Sequence, residues 1–560
     1  MKRSTLNRVI FSLFLLFASI LAFTKIVEPD TWLHLSMGRL IHDLKGLPQH
    51  EMFTYPSQDL PFAYSSWLFG LMSYLIYMAS DGGLVLFKTA CIVLVAFLLL
   101  GDALRPYRNY PVAVLVVGAA LLFSQDRFVV RPEIVGLACL SFSIFSLNAY
   151  LYEGRKYLYA LPFVHLVWAN SHSSIILMFI PFGAFLAAAV LQPVLAARNA
   201  PTGAPISRDR AATVAALFAL SFCAALISPY HIGQFSFGGG LLATDWYKNN
   251  IYELRPPEGA FRALLAALDG IVLLSFALDR KRFSVFHFLL VLPFMVMPFI
   301  AVRFAYLFAL VAAPVVSRNL SSAVSHVGWD GFFHKAAVRA GAIVLIIAST
   351  VLSLLHIEPF GLSYGQFGPG FIEEYEPGKA LAYMDRNGID GRVMNSFYFG
   401  QYIIWKSYPR RTVFIDGRGY LSPDLLYKSQ QFLWSNPVLD DLEQQYGFRS
   451  ILIAYPEKMD GGAAMSDYDE GFFHPGWALV YWDDISMLFV KRSEEFNTLI
   501  ARDEYRVIRP DLIVSYFVRN HVTKKNRDSA IRELQRNMAE THSRKAYRLL
   551  SVVSQYEPTR

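Results

Sequence analysis

Glu28-Pro-Asp-Thr-Trp-Leu-His-Leu-Ser-Met-Gly38 follows directly on an apolar run from Val9 to Val27. An ionisable cluster at the point where a membrane helix meets water is expensive to bury and cheap to expose, so it either caps the helix or reaches a reacting group. Asp30 is the candidate chemical centre of the stretch. Lys2, Arg3 and Arg8 precede the apolar run, as in a signal peptide, but no small-residue cleavage site follows it. The run therefore reads as an uncleaved first span with its N-terminus in the cytoplasm.

The composition agrees with a membrane setting. Of 560 residues, 54% are hydrophobic, 15% aromatic and only 17% charged, too apolar for a soluble protein of this length. The formal net charge of +7 does not point to nucleic acid, because the basic residues recur in short loops between apolar runs. Orientation in the bilayer explains that pattern. Cys91, Cys139 and Cys223 all fall inside apolar runs without partner spacing, which indicates neither a disulfide framework nor a cysteine metal site.

Further apolar runs lie near 62–80, 84–101, 111–124, 134–151, 157–170, 174–195, 211–228, 262–278, 283–300, 303–317 and 339–356. If 62–80 lies in the interface or re-enters, the clusters at Arg105/Arg108, Arg155/Lys156, Arg198/Arg208/Arg210, Arg280/Lys281/Arg282 and Arg318/Lys335/Arg339 all fall on the cytoplasmic side. Trp67-Leu-Phe-Gly-Leu-Met-Ser-Tyr-Leu-Ile-Tyr77 has the aromatic, amphipathic character of such a helix. About eleven spans result, the last delivering the chain to the outside. The outer boundary then collects Asp30, His34, Asp126, Arg127, Arg131, Glu133, Trp168 to His172, Ser228 to His231, the loop Asp245 to Pro257, and Arg303.

Such a set can hold a charged substrate at the bilayer surface. A carboxylate takes a proton from a hydroxyl nucleophile, and arginines bind the charge on a phosphate leaving group. Tryptophan and tyrosine offer flat apolar faces with one polar handle, suited to sugars. Each residue also has a structural role open to it: Arg131-Pro132 can start a helix, Asn170 and His172 can satisfy backbone groups at a tight turn, and Arg303 can anchor at the interface.

Asp30-x-Trp-x-His34, with Gly38-Arg39, Gly46-x-Pro48, Phe53-Thr-Tyr55 and Ser65-Ser-Trp67-Leu, resembles the first outer loop of bacterial integral-membrane glycosyltransferases of the GT-C superfamily. Arg131-Pro132-Glu133, Trp168-x-Asn170-x-His172, Pro229-Tyr230, Arg303, Asn395-x-x-x-x-Gly400-x-Tyr402 and Phe414-Ile-Asp416-Gly-Arg418 resemble that group too, so the likeness spans most of residues 1 to 490. It implies an α-helical polytopic GT-C-like fold, a first-loop Asp acting as base, and a polyprenyl-phosphate-linked sugar as donor. Carried over residue by residue, Asp30 is the base and Glu28 a weaker candidate. His34, Arg131 and Arg303 become donor-phosphate contacts, while Asn170 and His172 bind sugar or acceptor. The chain lacks the paired first-loop acids of protein mannosyltransferases and the Trp-Trp-Asp-type motif of oligosaccharyltransferases. Those departures argue against transfer of a whole oligosaccharide to asparagine and against dependence on a divalent metal; no cofactor beyond the lipid-linked sugar donor is indicated.

The expected organisation is a transmembrane domain at 1–356, with a first outer loop at 28–62, an extracytoplasmic α/β domain at 357–493, and basic amphipathic helices at 494–560. Leu381-Ala-Tyr-Met-Asp385 reads as helix; Thr412 to Ile415, Ser450 to Ala454 and Met487 to Val490 read as strands. Asp416-Gly-Arg-Gly-Tyr420 follows a strand and is either a substrate contact or a structural Asp-Arg turn. The functional expectation is a glycosyltransferase of the bacterial inner membrane that uses a lipid-linked sugar donor and a lipid, glycan or protein acceptor. The alternatives are a non-catalytic assembly protein and a lipid-diphosphate-dependent ligase or polymerase. A transporter fits less well, because its charges would lie near the middle of the bilayer.

Overall fold

The computed structural model describes residues 3–237, 245–333, 335–354, 366–418, 421–455, 474–512 and 514–556. Residues 355–356 of the last expected span and Gly419-Tyr420 of the glycine-rich turn lie outside them. The chain divides into two compact units: Met1–Glu28 with Met37–His42 and Tyr64–Phe371, and Pro29–Ser36 with Asp43–Ala63 and Ile372–Arg560.

The first unit is helical. Among the described residues, seven helices are long and apolar enough to cross a membrane: Thr5–Ala22, Gly83–Ala103, Glu133–Glu153, Ser173–Ala196, Gly259–Leu278, Val302–His326 and Ala336–Leu354. Trp67–Ala79, Tyr110–Phe123 and Val285–Ile300 are apolar but shorter. Leu161–Ser171 and Arg208–Ala225 account for the remaining runs. The helix Trp67–Ala79 has 13 residues. At about 1.5 Å per residue it reaches roughly 20 Å, short of a hydrocarbon core of about 30 Å. This is the helix expected to lie in the interface or re-enter.

Local chemistry sets the helix ends. Asn109 accepts from Val112 N at 3.4 Å and Pro111 occupies the first turn, where its missing N–H is harmless. Gly154 closes Glu133–Glu153 at φ 66°, a left-handed conformation that suits a residue without Cβ. Ala305–His326 is buried nearly all round and carries Ala312, Ala313, Ser317, Ser321 and Ser322, small residues that let neighbouring helices approach closely. It packs against Tyr110–Phe123, Val285–Ile300, Gly259–Leu278 and Gly83–Ala103. A buried polar network ties this bundle at the C-terminal end of Glu133–Glu153. Asn148 donates to Asp102 at 2.7 Å, His287 Nε2 meets Asn148 Oδ1 at 2.9 Å, and Arg318 bonds His287 and, at 3.0 Å, the Tyr152 hydroxyl.

The second unit carries one mixed sheet, in the order β2-β1-β3-β5-β4, built from β1 (Gly391–Asn395), β2 (Arg411–Val413), β3 (Ser450–Ala454), β4 (Trp477–Trp482) and β5 (Ser486–Lys491). β1 runs parallel to β2 and β3, while β5 is antiparallel to β3 and β4. The segment around Thr54 extends the β2 edge, Val413 N donating to Phe53 O at 3.0 Å. Among the described residues, the basic C-terminal stretch forms Asn497–Asp503, Val514–His521 and the two longer amphipathic helices Arg527–Thr541 and Arg544–Gln555. Arg527–Thr541 packs on the sheet through Leu534 and through Asn537 Nδ2, which donates to Trp482 O at 2.7 Å.

Candidate functional site

In the helical unit, charged residues from five separate stretches meet at one end of the spans. Glu133 opens the helix Glu133–Glu153, where the helix dipole favours an anion. Arg127 lies in the turn Gln125–Arg127, Glu253 in Tyr252–Leu254, and Arg303 in Val302–Phe304, just before Ala305–His326. Glu28 follows the first helix. Arg127 bonds both Glu133 and Glu253, and Arg131 bonds Glu28 and approaches Glu253 at 3.5 Å. Arg303 stands farther off, 3.4 Å from Glu133 and 3.9 Å from Glu253. The Arg127 guanidinium also lies over the Tyr306 ring, 5.6 Å from its centroid.

Three arginines thus face three glutamates in a half-buried setting, and the formal charge cancels. Burial opposes the charge on Arg127, but Glu133 and Glu253 hold it protonated, above the usual arginine range. Burial would likewise push the Glu253 carboxyl up, yet Arg127, Arg303 and Arg131 hold it below its ordinary value. His172 is lowered to about 4, first by burial; Glu133 opposes this, while Arg303 and Arg127 add to it. Its Nδ1 accepts from Ser174 N at 3.2 Å, which leaves the proton of the neutral ring on Nε2. His172 is therefore a neutral donor beside the cluster.

The expected residues divide. Glu28, Arg131, His172 and Arg303 come together here. Asn170 does not join them: its Oδ1 accepts from Trp67 Nε1 at 2.9 Å, and its Nδ2 donates to the carbonyls of Leu166 and Ile227 at 2.9 and 3.0 Å. Asp30 and His34 belong to the other unit. Arg127 and Glu253 are the cluster members that the sequence showed only as boundary or loop residues, and Glu133 appeared in the Arg131-Pro132-Glu133 motif without a role; their alternation of sign was the available signal.

In the sheet-bearing unit, Asp30 is the first residue of the helix Asp30–Leu44, and His34, one turn on, shares its face. Gln401 Nε2 donates to Asp30 Oδ1 at 3.4 Å. The turn at Asp416 sits just past the carboxyl end of β2, where parallel sheets commonly place their ligands. Asn395, fully buried at the end of β1, holds that turn: its Oδ1 accepts from Phe414 N and its Nδ2 donates to Ile415 O, both at 2.8 Å. Arg418 donates through Nε to Asp416 at 2.9 and 3.1 Å and through Nη2 to Glu51 at 2.7 Å. The expected Asp-Arg pair is present, and Glu51 is a third member that the sequence did not reveal. Among the described residues, no three His, Cys, Asp or Glu side chains converge in a way that would hold a metal ion.

No family model and no curated protein matches this chain. Solved structures do. The archaeal oligosaccharyltransferase AglB from Archaeoglobus fulgidus, in complex with an inhibitory peptide and a dolichol-phosphate, aligns over 80% of this chain and 69% of its own at 12% identity, with a TM-score of 0.56. The same oligosaccharyltransferase tethered to an acceptor peptide containing the NVT sequon aligns over the same shares at 13% identity and a TM-score of 0.51. The likeness is one of fold alone: a unit of membrane-length helices and a unit bearing a mixed α/β sheet align with the oligosaccharyltransferase over 80% of this chain.

Proposed function

We propose that this chain is a glycosyltransferase that moves a sugar from a polyprenyl-phosphate donor to a hydroxyl on a lipid, glycan or protein acceptor, at the outer face of the cytoplasmic membrane. The observation that carries the proposal is the three-arginine, three-glutamate cluster at the ends of the spans. A lipid phosphate must leave its charge at the bilayer boundary, and a preformed set of guanidinium donors stabilises that charge as it develops. Arg303 is the member with slack, since its carboxylate distances exceed the 2.7–2.9 Å typical of a closed charge-assisted bond. A phosphate oxygen competes best for that guanidinium. The fold likeness supports the reading, because the aligned AglB structure holds a dolichol-phosphate.

In the proposed mechanism Asp30, which follows Glu28 by two residues along the chain, takes the proton of the acceptor hydroxyl. The acceptor oxygen forms a bond to the anomeric carbon. The bond from that carbon to the phosphate oxygen breaks, its electron pair leaves with the polyprenyl phosphate, and configuration inverts. Arg131 and Arg303 meet the departing charge, with His34 as a further contact; neutral His172 donates to donor or sugar. The proposed orientation has the N-terminus in the cytoplasm, and the distribution of basic loops supports it.

The test is the glycan and lipid profile of a deletion strain complemented with wild type, Asp30→Asn or Arg303→Ala at matched expression. Loss of one sugar, restored by wild type and by neither variant, is the expected result and identifies the substrate. Full restoration by Asp30→Asn would remove the base assignment and favour a non-catalytic assembly role.

A further inference from the structure

We infer that Gln401 and Gly417 are positioning residues for the Asp30 carboxylate, so that the α/β portion of the chain aims the base of the proposed reaction. The inference rests on the assignment of Asp30 above and extends it to two residues that the reaction itself does not touch. All of the groups involved lie in the sheet-bearing unit.

Gln401 sits in the helix Gly400–Ser407 and is 1% exposed. Its Nε2 reaches Asp30 Oδ1, whereas its Oε1 is buried with no hydrogen-bond partner among the described residues. A buried amide with one end unsatisfied is disfavoured unless the other end is needed, and here that end addresses the carboxylate. Gly417 supplies the opposing constraint. A Cβ at position 417 would lie 3.0 Å from Asp30 Oδ1 and 2.7 Å from Gln401 Nε2, so the bare glycine backbone forms the surface against which both side chains rest. The turn is fixed from behind by the bonds of Arg418 to Asp416 and Glu51, and by Asn395 clasping Phe414 and Ile415. These distances bring Gly417 and Gln401 together at the first-loop Asp.

Two neighbouring glycines separate positioning from folding. At Gly400 an added Cβ would fall 2.1 Å from the backbone oxygen of Ile415, which cannot retreat without breaking the β2 connection. At Gly417 the atoms in the way are the far ends of two side chains, which can move aside. Gly417→Ala therefore displaces the carboxylate and amide while leaving the fold in place. Gln401→Glu keeps the shape of the side chain but sets a carboxylate oxygen against Asp30.

The experiment uses the full-length protein in detergent, with an extract of deletion-strain membranes as the source of unconsumed donor and acceptor, and reads product formation against extract concentration. Gly417→Ala and Gln401→Glu are expected to lower kcat roughly tenfold or more, the scale of a sub-ångström misplacement. The half-saturating extract concentration should stay at its wild-type value in both variants, and the Tm in Gly417→Ala, where no charge is introduced. Wild-type kcat in both variants beside an inactive Asp30→Asn would overturn the positioning role and leave the base assignment standing. A kcat loss accompanied by an equal loss of folded protein would also overturn it, since that is a structural defect. Full activity of Asp30→Asn would remove the base assignment and the positioning role together.

Discussion

Arg303 and Arg127 share the same two glutamates, but their pairings differ. Arg127 closes on both Glu133 and Glu253, whereas Arg303 stays at 3.4 and 3.9 Å. Arg127→Ala leaves two half-buried carboxylates short of a partner and should destabilise the protein by about 3–5 kcal/mol, read as a lower Tm in detergent. Arg303→Ala should leave Tm nearly unchanged and reduce turnover by roughly 10²–10³, the effect of losing one preorganised donor. Glu376 gives a pH signature. Burial raises its carboxyl from 4.5 to about 7 despite the bond from Trp32 Nε1. A carboxyl raised by folding is favoured in its protonated form, so its contribution is complete below pH 4.5 and is lost as pH rises through about 7. Thermal unfolding across that window should show stability falling by up to about 3 kcal/mol, and Glu376→Gln should abolish the slope. At this scale the sequence was legible where chemistry is local: Glu28, Arg131, His172 and Arg303 stood out as polar residues at span ends. The pairing of Arg127 with Glu253, or of Arg418 with Glu51, was not, because no short-range pattern encodes contacts between residues 126 or 367 positions apart.

Among the elements, the apolar runs became helices close to their expected limits, since burial of the backbone in lipid allows little else. The strands were harder to see. β3, the last two residues of β2 and most of β5 were visible as short apolar runs, but β1 offers only Val393 and Met394 between polar neighbours, and β4, Trp-Ala-Leu-Val-Tyr-Trp, is buried throughout and shows no alternation. The motif Asn395-x-x-x-x-Gly400 becomes intelligible only with the sheet in place. Asn395 bonds the chain beyond β2, and Gly400 lets the following helix lie on Ile415. Gly400→Ala and Asn395→Ala should therefore both lower the yield of folded protein, measured by monodisperse recovery in detergent, whereas Gly417→Ala should not. The small-residue face of Ala305–His326 makes a parallel case. Ala313→Leu should cost about 1–3 kcal/mol by overpacking, seen as a reduced Tm.

For the whole molecule, the distribution of basic loops predicts one orientation. In a chain whose three cysteines are replaced, a cysteine at Asp126 should react with an impermeant maleimide in intact cells, and one at Lys281 only after permeabilisation. The reverse pattern would invert the topology and remove the cluster from the outer face. The sheet-bearing unit has a further consequence for biogenesis. Its β2 edge is completed by residues near Thr54, and Arg418 reaches Glu51 across 367 positions of chain. At synthesis rates of about 5–20 residues per second, roughly 20–70 s separate the emergence of the two partners. During that interval Glu51, fully buried in the finished protein, lacks its guanidinium and stays in water. A ribosome that stalls before residue 418 releases a chain whose Glu51 never acquires its arginine partner. Closing of this unit therefore waits on the synthesis of residue 418, and proteolytic sensitivity of the Glu51 segment should report whether a nascent polypeptide has been read that far.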